Sequence, residues 1–217
     1  MTEFREIELK YALEREEDYT RLCEYLGPPE SEWDQINHYF HSEDGLIPGI
    51  RGMIRIRVEK GKSLFAVKLG GMVTEGLLAA DEYEQPWPVH NDSYRWAPNV
   101  LWDAGNQGMK LLEQEHGRRG SLIWAGKMMN HRRLFTWARG LRLEVDASLY
   151  PDGFKDFEVE LETHRPEQER PKLITLLQGL NLQFTPQTRT KYQRFLEHST
   201  RQHSLTPNSR KAEPNDL

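Results

Sequence analysis

The sequence predicts a mainly β (α+β) fold, a closed antiparallel barrel of about eight strands with a few covering helices. Three observations predict it. Charged and apolar residues alternate with period two over many short segments, which puts charges on one face of a strand and apolar side chains on the other. The charges are grouped by sign: acids as Glu-x-Glu at Glu6/Glu8, Glu82/Glu84 and Glu158/Glu160, bases as Arg-x-Arg at Arg55/Arg57. An ordinary solvated face intersperses the signs. The opposite faces are apolar and β-branched, and helices fall between the strand runs to cover them. A sheet closed on itself reconciles all three, with an apolar exterior under helices and a charged, wet interior.

The elements follow in order. Glu6-Ile7-Glu8-Leu9-Lys10 is a strand with two carboxylates and an ammonium on one face. Arg15 to Leu26 is a helix, because Tyr19, Leu22, Cys23 and Leu26 recur at i, i+3, i+4 and i+7 and Gly27-Pro28-Pro29 ends it. Strands follow at Gln35–Ser42, Met53–Glu59, Ser63–Leu69 and Asp81–Gln85, with a turn over Gly45–Gly49. Prolines and glycines interrupt residues 86 to 120, where Gln107–His116 reads as a helix. Trp87, Trp96, Trp102 and Trp124 read as packing residues under irregular loops. Strands resume at Ser121 and cover Met128–Trp137, Leu141–Val145 and Phe154–Thr163. Pro171–Gln178 is a helix with Pro171 near its first turn and Gly179 after its end. A last strand or extension carries Arg189, Lys191 and Arg194. No repeat divides the chain, so residues 1–198 form one domain, and the polar, aromatic-free residues 199–217 are expected to be a disordered tail.

Composition narrows the function. The 217 residues, 37% hydrophobic and 29% charged, can bury a sizeable core. A net charge of −5 argues against nonspecific nucleic-acid binding. The single cysteine, Cys23, excludes an internal disulfide framework and fits a reducing compartment. No apolar run is long enough for a membrane helix and no leader is evident, so a cytoplasmic location is expected. The histidines lack zinc-ligand spacing, and there is no glycine-rich phosphate loop. Packing carboxylates and cations together is costly unless they are paired, solvated or bind something. Clustered acids call for a cation and clustered Arg and Lys for a polyanion, so a metal-bound polyphosphate satisfies both.

These residues resemble the CYTH proteins, also called triphosphate tunnel metalloenzymes, a group of class IV adenylyl cyclases, thiamine triphosphatases and inorganic triphosphatases. The signature Glu-x-Glu-x-Lys looks like Glu6, Glu8 and Lys10. The Arg-x-Arg strand looks like Ile54-Arg55-Ile56-Arg57, the lysine strand like Lys68, and the central acidic pair like Glu82 and Glu84. A later arginine strand is similar to Asn130-His131-Arg132, followed by Val145-Asp146 and Asp156-Phe157-Glu158-Val159-Glu160. The closing basic segment looks like Lys191-Tyr192-Gln193-Arg194-Phe195. The match runs in order over roughly residues 4 to 196. One departure is Tyr39-Phe40-His41-Ser42, where many relatives carry Tyr-Phe-Asp-Thr.

The resemblance implies an eight-stranded antiparallel tunnel that hydrolyses a triphosphate, inorganic or organic such as thiamine triphosphate. The alternatives are cyclic AMP synthesis from ATP and non-catalytic polyphosphate or nucleotide binding. Glu6, Glu8, Glu158 and Glu160 are the expected ligands of Mg²⁺ or Mn²⁺, hard ions that prefer oxygen. Lys10, Arg55, Arg57, Lys68, Arg132 and Lys191 are expected to hold phosphate oxygens. Arg133 is the alternative to Arg132, since strand parity turns only one of them inward. Lys10, Glu82, Glu84 and Asp146 are the expected catalytic residues, the acids orienting either basic side chains or water. Arg142 and Glu144 either line the tunnel or pair near its rim. The expected partner is a small triphosphate, with no nucleic acid and no membrane, and a homodimer is the base-rate assembly.

Overall fold

The computed structural model describes residues 2–42, 52–88 and 93–205. Its alternating segments form eight long strands: β1 (Thr2–Leu13), β2 (Ser31–Ser42), β3 (Met53–Glu59), β4 (Lys62–Thr74), β5 (Leu77–Trp87), β6 (Leu122–Trp137), β7 (Leu141–Leu149) and β8 (Lys155–Glu162). They run in the order β5-β4-β3-β2-β6-β7-β8-β1, every neighbour antiparallel. Pairing of β1 with β5, in register Glu6 to Ala80 and Glu8 to Leu78, closes the barrel. Closure leaves no open edge and separates an inside from an outside. A three-residue strand, β9 (Phe184–Pro186), adds to β1. Pro86 is tolerated in β5 because β1 pairs with that strand only as far as Glu84, leaving the proline no partner on that side.

The outside of the barrel carries the core. Helix α1 (Glu16–Leu26) buries Tyr19, Leu22 and Cys23, the stripe that its spacing predicts. Together with Leu173 and Leu177 of α3 (Pro166–Gly179) it covers Leu9, Leu143, Val145, Val159 and Leu161. On the other side, α2 (Gln107–His116) lays Met109 and Leu112 against Ile54, Ile56, Phe65 and Val67. Asn106 fixes where α2 begins: its Oδ1 accepts from the Gly108 N–H at 2.8 Å and its Nδ2 donates to the Tyr83 carbonyl at 3.0 Å. Gly108 allows the close approach, since a Cβ there would lie 2.7 Å from Val67 Cβ. Among the described residues no helix is long and apolar enough to cross a membrane.

Several expectations need correction. The segment from Lys191 is neither a strand nor an extension but a helix, α4 (Lys191–Leu205). Thr190 and Gln193 form a reciprocal capping box, Thr190 Oγ1 accepting from the Gln193 N–H at 3.2 Å and Gln193 Oε1 from the Thr190 N–H at 2.8 Å. The helix runs past residue 198, and residues 206–217 lie outside the described residues, as does the turn expected over Gly45–Gly49. Helix α3 starts at Pro166, with Pro171 inside it and Gly179 as its last residue. Of the four tryptophans, Trp102 is buried but Trp96 is 86% exposed and packs under nothing.

Candidate active site

Period-two alternation turns Glu6, Glu8 and Lys10 of β1 inward, where all three are buried. Around them lies a cavity of about 310 Å³, at the small end of ligand sites. Among the described residues its wall carries six basic side chains, Lys10, Arg55, Arg57, Lys68, Arg132 and Lys191, and seven acidic ones. By formal charge the acids outnumber the bases by one, so a bare polyanion entering this space meets at least as much repulsion as attraction unless a cation accompanies it.

The charges sort into groups. On one side, Lys68 bonds Glu6 and lies 3.2 Å from Glu82, while Arg55 reaches Glu82 at 3.1 Å and Glu84 at 3.9 Å. Lys10 bridges Glu8 and Glu160. On the far side, Arg132 grips Asp146 with two nitrogens, at 2.9 and 2.6 Å, and also holds Glu160 at 2.9 Å and Glu144. Lys191, from the first turn of α4, adds contacts to Asp146 at 2.7 Å, Glu160 at 2.8 Å and Glu158. The β7–β8 register, Asp146 opposite Glu158 and Glu144 opposite Glu160, stacks these acids.

The pKa directions follow from burial and neighbours. Burial pushes Glu8 up to about 7, Lys10 opposing and the negative charges of Glu6 and Glu160 adding to the rise. Burial likewise pushes Glu144 up to about 7, against the pull of Arg132. Burial also opposes ionisation of Glu160, yet Lys10, Lys191 and Arg132 together hold its carboxyl well below the usual range. Asp146 is lowered in the same way, Arg132 and Lys191 outweighing burial. Burial disfavours the Lys10 ammonium, but Glu160 and Glu8 outweigh it and raise its pKa.

Of the acids expected to bind metal, Glu158 and Glu160 meet a third, Asp146: one oxygen from each lies within 4.8 Å of the others. Glu6 and Glu8 stand apart from this group, held by Lys68 and Lys10. The donor set fits a hard divalent ion, being all carboxylate oxygen. Moreover, Glu158 Oε1 is buried with no hydrogen bond, Lys191 lying against it as an ion pair without hydrogen-bond alignment. Asp146 and Glu158 are fully buried and stand just behind the cavity wall rather than on it.

Arg132 lines the cavity, whereas Arg133 faces outward, pairing with Glu32 at 3.1 Å and lying over the Tyr19 ring. Glu144 lines the cavity too, but Arg142 is exposed and pairs with Glu30. Sequence reasoning gave no role to Arg194, which is buried and reaches Glu158 and Asp156 at 2.9 Å and donates to the Tyr150 hydroxyl at 2.9 Å. Its signal was the i, i+3 spacing from Lys191 once the capping box marks a helix. It also passed over Gln35, Asn37 and Tyr39, the inward face of β2, because uncharged polar residues do not stand out from an ordinary wet face.

The CYTH domain profile matches residues 5–195. No curated protein matches the chain. Among solved structures, it is similar to a Hippeastrum protein provisionally assigned as an adenylyl cyclase and described as having a dominant triphosphatase activity. That likeness has 23% identity and a TM-score of 0.80, covering 93% of this chain and 98% of the other. A Bacillus halodurans protein provisionally assigned as an adenylate cyclase aligns with 22% identity and a TM-score of 0.65, over 88% and 98% of the two chains. A Pyrococcus horikoshii OT3 protein aligns with 15% identity and a TM-score of 0.59, over 88% and 98%. At these identities the likeness carries the fold.

Proposed function

The chain belongs to the CYTH domain family, and from that premise we propose that it hydrolyses a small triphosphate inside its barrel with the help of a divalent metal ion. One observation carries the reading: six cations converge on a cavity of about 310 Å³ beside three carboxylates grouped closely enough to share an ion. Inorganic triphosphate, or the phosphate chain of an organic one such as thiamine triphosphate, presents the charge that these six cations attract once a metal ion offsets the acids.

Phosphoryl transfer asks a protein for positioning and charge stabilisation rather than covalent chemistry. Arg55, Arg57 and Arg132 hold phosphate oxygens through their forked donors; Lys10, Lys68 and Lys191 act as point charges. Glu82 and Glu84 keep Arg55 and Lys68 extended into the cavity, and Asp146 does the same for Arg132. Asp146, Glu158 and Glu160 would hold Mg²⁺ or Mn²⁺, with Glu6 and Glu8 available to a second ion. The bound ion supplies charge neutralisation and a more acidic water. The water oxygen forms a bond to the terminal phosphorus and gives up a proton to solvent, the bridging P–O bond breaks, and phosphate leaves with pyrophosphate from inorganic triphosphate or with the organic diphosphate from an organic one.

Hydrolysis is favoured over cyclisation because it needs only the charged cavity, whereas cyclisation also needs a nucleoside site, and the two aromatic rings among the described lining residues, Tyr39 and Tyr192, pack against each other. Tyr39 packs against Tyr192 at 5.2 Å and Phe195 at 4.8 Å. The dominant triphosphatase activity described for the Hippeastrum protein agrees with this choice. The test offers purified protein inorganic triphosphate, thiamine triphosphate and ATP with Mg²⁺ or Mn²⁺, and assays phosphate, pyrophosphate and cyclic AMP, with Glu160→Gln as control. Metal-dependent phosphate release that the control abolishes supports the reading. Cyclic AMP with pyrophosphate moves the chain to the cyclases, and binding without product leaves a binding module.

A further inference from the structure

Five of the six tunnel cations are already paired with carboxylates. Arg57 is the exception: among the described residues no acid makes an ion pair with it. Its contact is to a neutral amide, Nε donating to Asn37 Oδ1 at 3.3 Å. Asn37 is buried and stands directly opposite Arg57 in the β2–β3 register. The acid nearest along its own strand, Glu59, is engaged elsewhere, its Oε2 accepting from Trp33 Nε1 at 3.0 Å and Gln35 Nε2 at 2.6 Å. Beyond Gln35 the inner wall continues with neutral partners, Asn130 Nδ2 donating to Gln35 Oε1 and Ser148 Oγ to Asn130 Oδ1, both at 2.9 Å. This arc of the wall leaves Glu59 and Glu82 to act on Arg57 only through space, without an ion pair. Burial, then the nearby positive charges of Arg55 and Arg132, lowers the pKa of Arg57, a stress that an arriving anion relieves.

We propose that Asn37 is a positioning residue that aims Arg57 into the cavity while leaving its charge unspent, so that Arg57 gives the substrate a full positive charge rather than one shared with a carboxylate. This rests on the triphosphatase reading. The other five cations must share or exchange a partner when phosphate arrives. Arg57 need not, so its contribution depends on the neutrality of its tether. An acid at residue 37 would have nearly the same shape and would keep the guanidinium in place, but it would compete with phosphate for the charge.

The test compares wild type, Asn37→Asp and Asn37→Ala. It measures KM and kcat for inorganic triphosphate with Mg²⁺, and Tm without substrate. Asn37→Asp is expected to raise KM about 10–100-fold, as loss of a charge-assisted contact does, with Tm unchanged or higher. Asn37→Ala is expected to raise KM less, by about threefold to tenfold, since it removes the aim but adds no competitor. If Asn37→Asp does not fold, Asn37→Ala decides by the same criterion of KM. A wild-type KM in the folded variant overturns the inference, as does a lowered Tm with kcat and KM impaired equally in both variants, which marks a structural role. A wild type that releases no phosphate fails the triphosphatase reading itself, and the inference falls with it.

Discussion

Replacing Lys191 by Met isolates what one cation does for the acidic cluster. The ammonium contacts Asp146, Glu158 and Glu160, whose side chains are at most 4% exposed. Methionine keeps most of the bulk and removes the charge. Breaking a buried ion pair from one side costs about 3–5 kcal/mol, because the abandoned charges stay buried. At about 2–4 °C per kcal/mol for a chain of this size, Tm should fall by about 6–20 °C in EDTA. The three carboxylate oxygens remain within 4.8 Å of one another and lose their competitor for a cation. Mg²⁺ should therefore stabilise the variant more than the wild type: at a hundredfold excess over the variant's Kd the variant gains about 2.7 kcal/mol, and the wild type gains less. Differential scanning calorimetry in EDTA and in Mg²⁺ measures both effects. A variant melting within about 2 °C of wild type in EDTA, or gaining no more from Mg²⁺, refutes the reasoning.

Acidity offers a second check. In the metal-free fold Glu8 and Glu144 keep protons up to about pH 7, while the unfolded chain releases them near 4.5. Their contribution is therefore complete below 4.5 and lost as pH rises through 7, on the order of 3 kcal/mol for buried Glu8 and less for Glu144, whose side chain is 33% exposed and screened by solvent. Thermal melts in EDTA should show lower stability at pH 8 than at pH 5, and Mg²⁺ should narrow the gap; a flat profile would contradict it. Gly76, at φ +77°, lies where a Cβ would sit 2.7 Å from the Lys10 carbonyl oxygen. Gly76→Ala should cost about 2–3 kcal/mol in urea titration. Gly61→Ala, at φ +70° with open space around it, should cost only about 1–2. Leu173→Ala, on the outer core, should cost about 2–5 kcal/mol while leaving kcat per folded molecule unchanged.

The barrel was legible because its strands combine two rules in one pattern. Glu6, Glu8 and Lys10, or Arg55 and Arg57, mark a face too uniformly charged for an ordinary surface, and the residues between them supply the apolar exterior. Helix α4 was not legible by that pattern. Tyr192 and Phe195 stand three residues apart, as on a helix face, but the bases Arg189, Lys191 and Arg194 continue the charge grouping of the strands, and the local pairing of Thr190 with Gln193 is what marks a helix start. Which acids meet was also hidden. Asp146 joins Glu158 and Glu160 through the β7–β8 register and through two cations from β6 and α4, none of which sequence spacing encodes.

That hidden arrangement explains why the interior tolerates so many charges. A barrel filled with hydrophobic side chains would be more stable, because buried ion pairs seldom repay their desolvation. Here the pairs are also incomplete: Glu8 and Glu144 are pushed up to about 7, and Arg57 has a neutral tether. Each is a site where an added cation or anion would lower the energy of the fold. Taken together they call for both signs at once, because a cation alone leaves Arg57 unsatisfied and a polyanion alone meets the carboxylates. The residual imbalance of the interior thus agrees with the proposed guest, one that carries metal and phosphate together, and ties the fold's own electrostatics to the proposed chemistry.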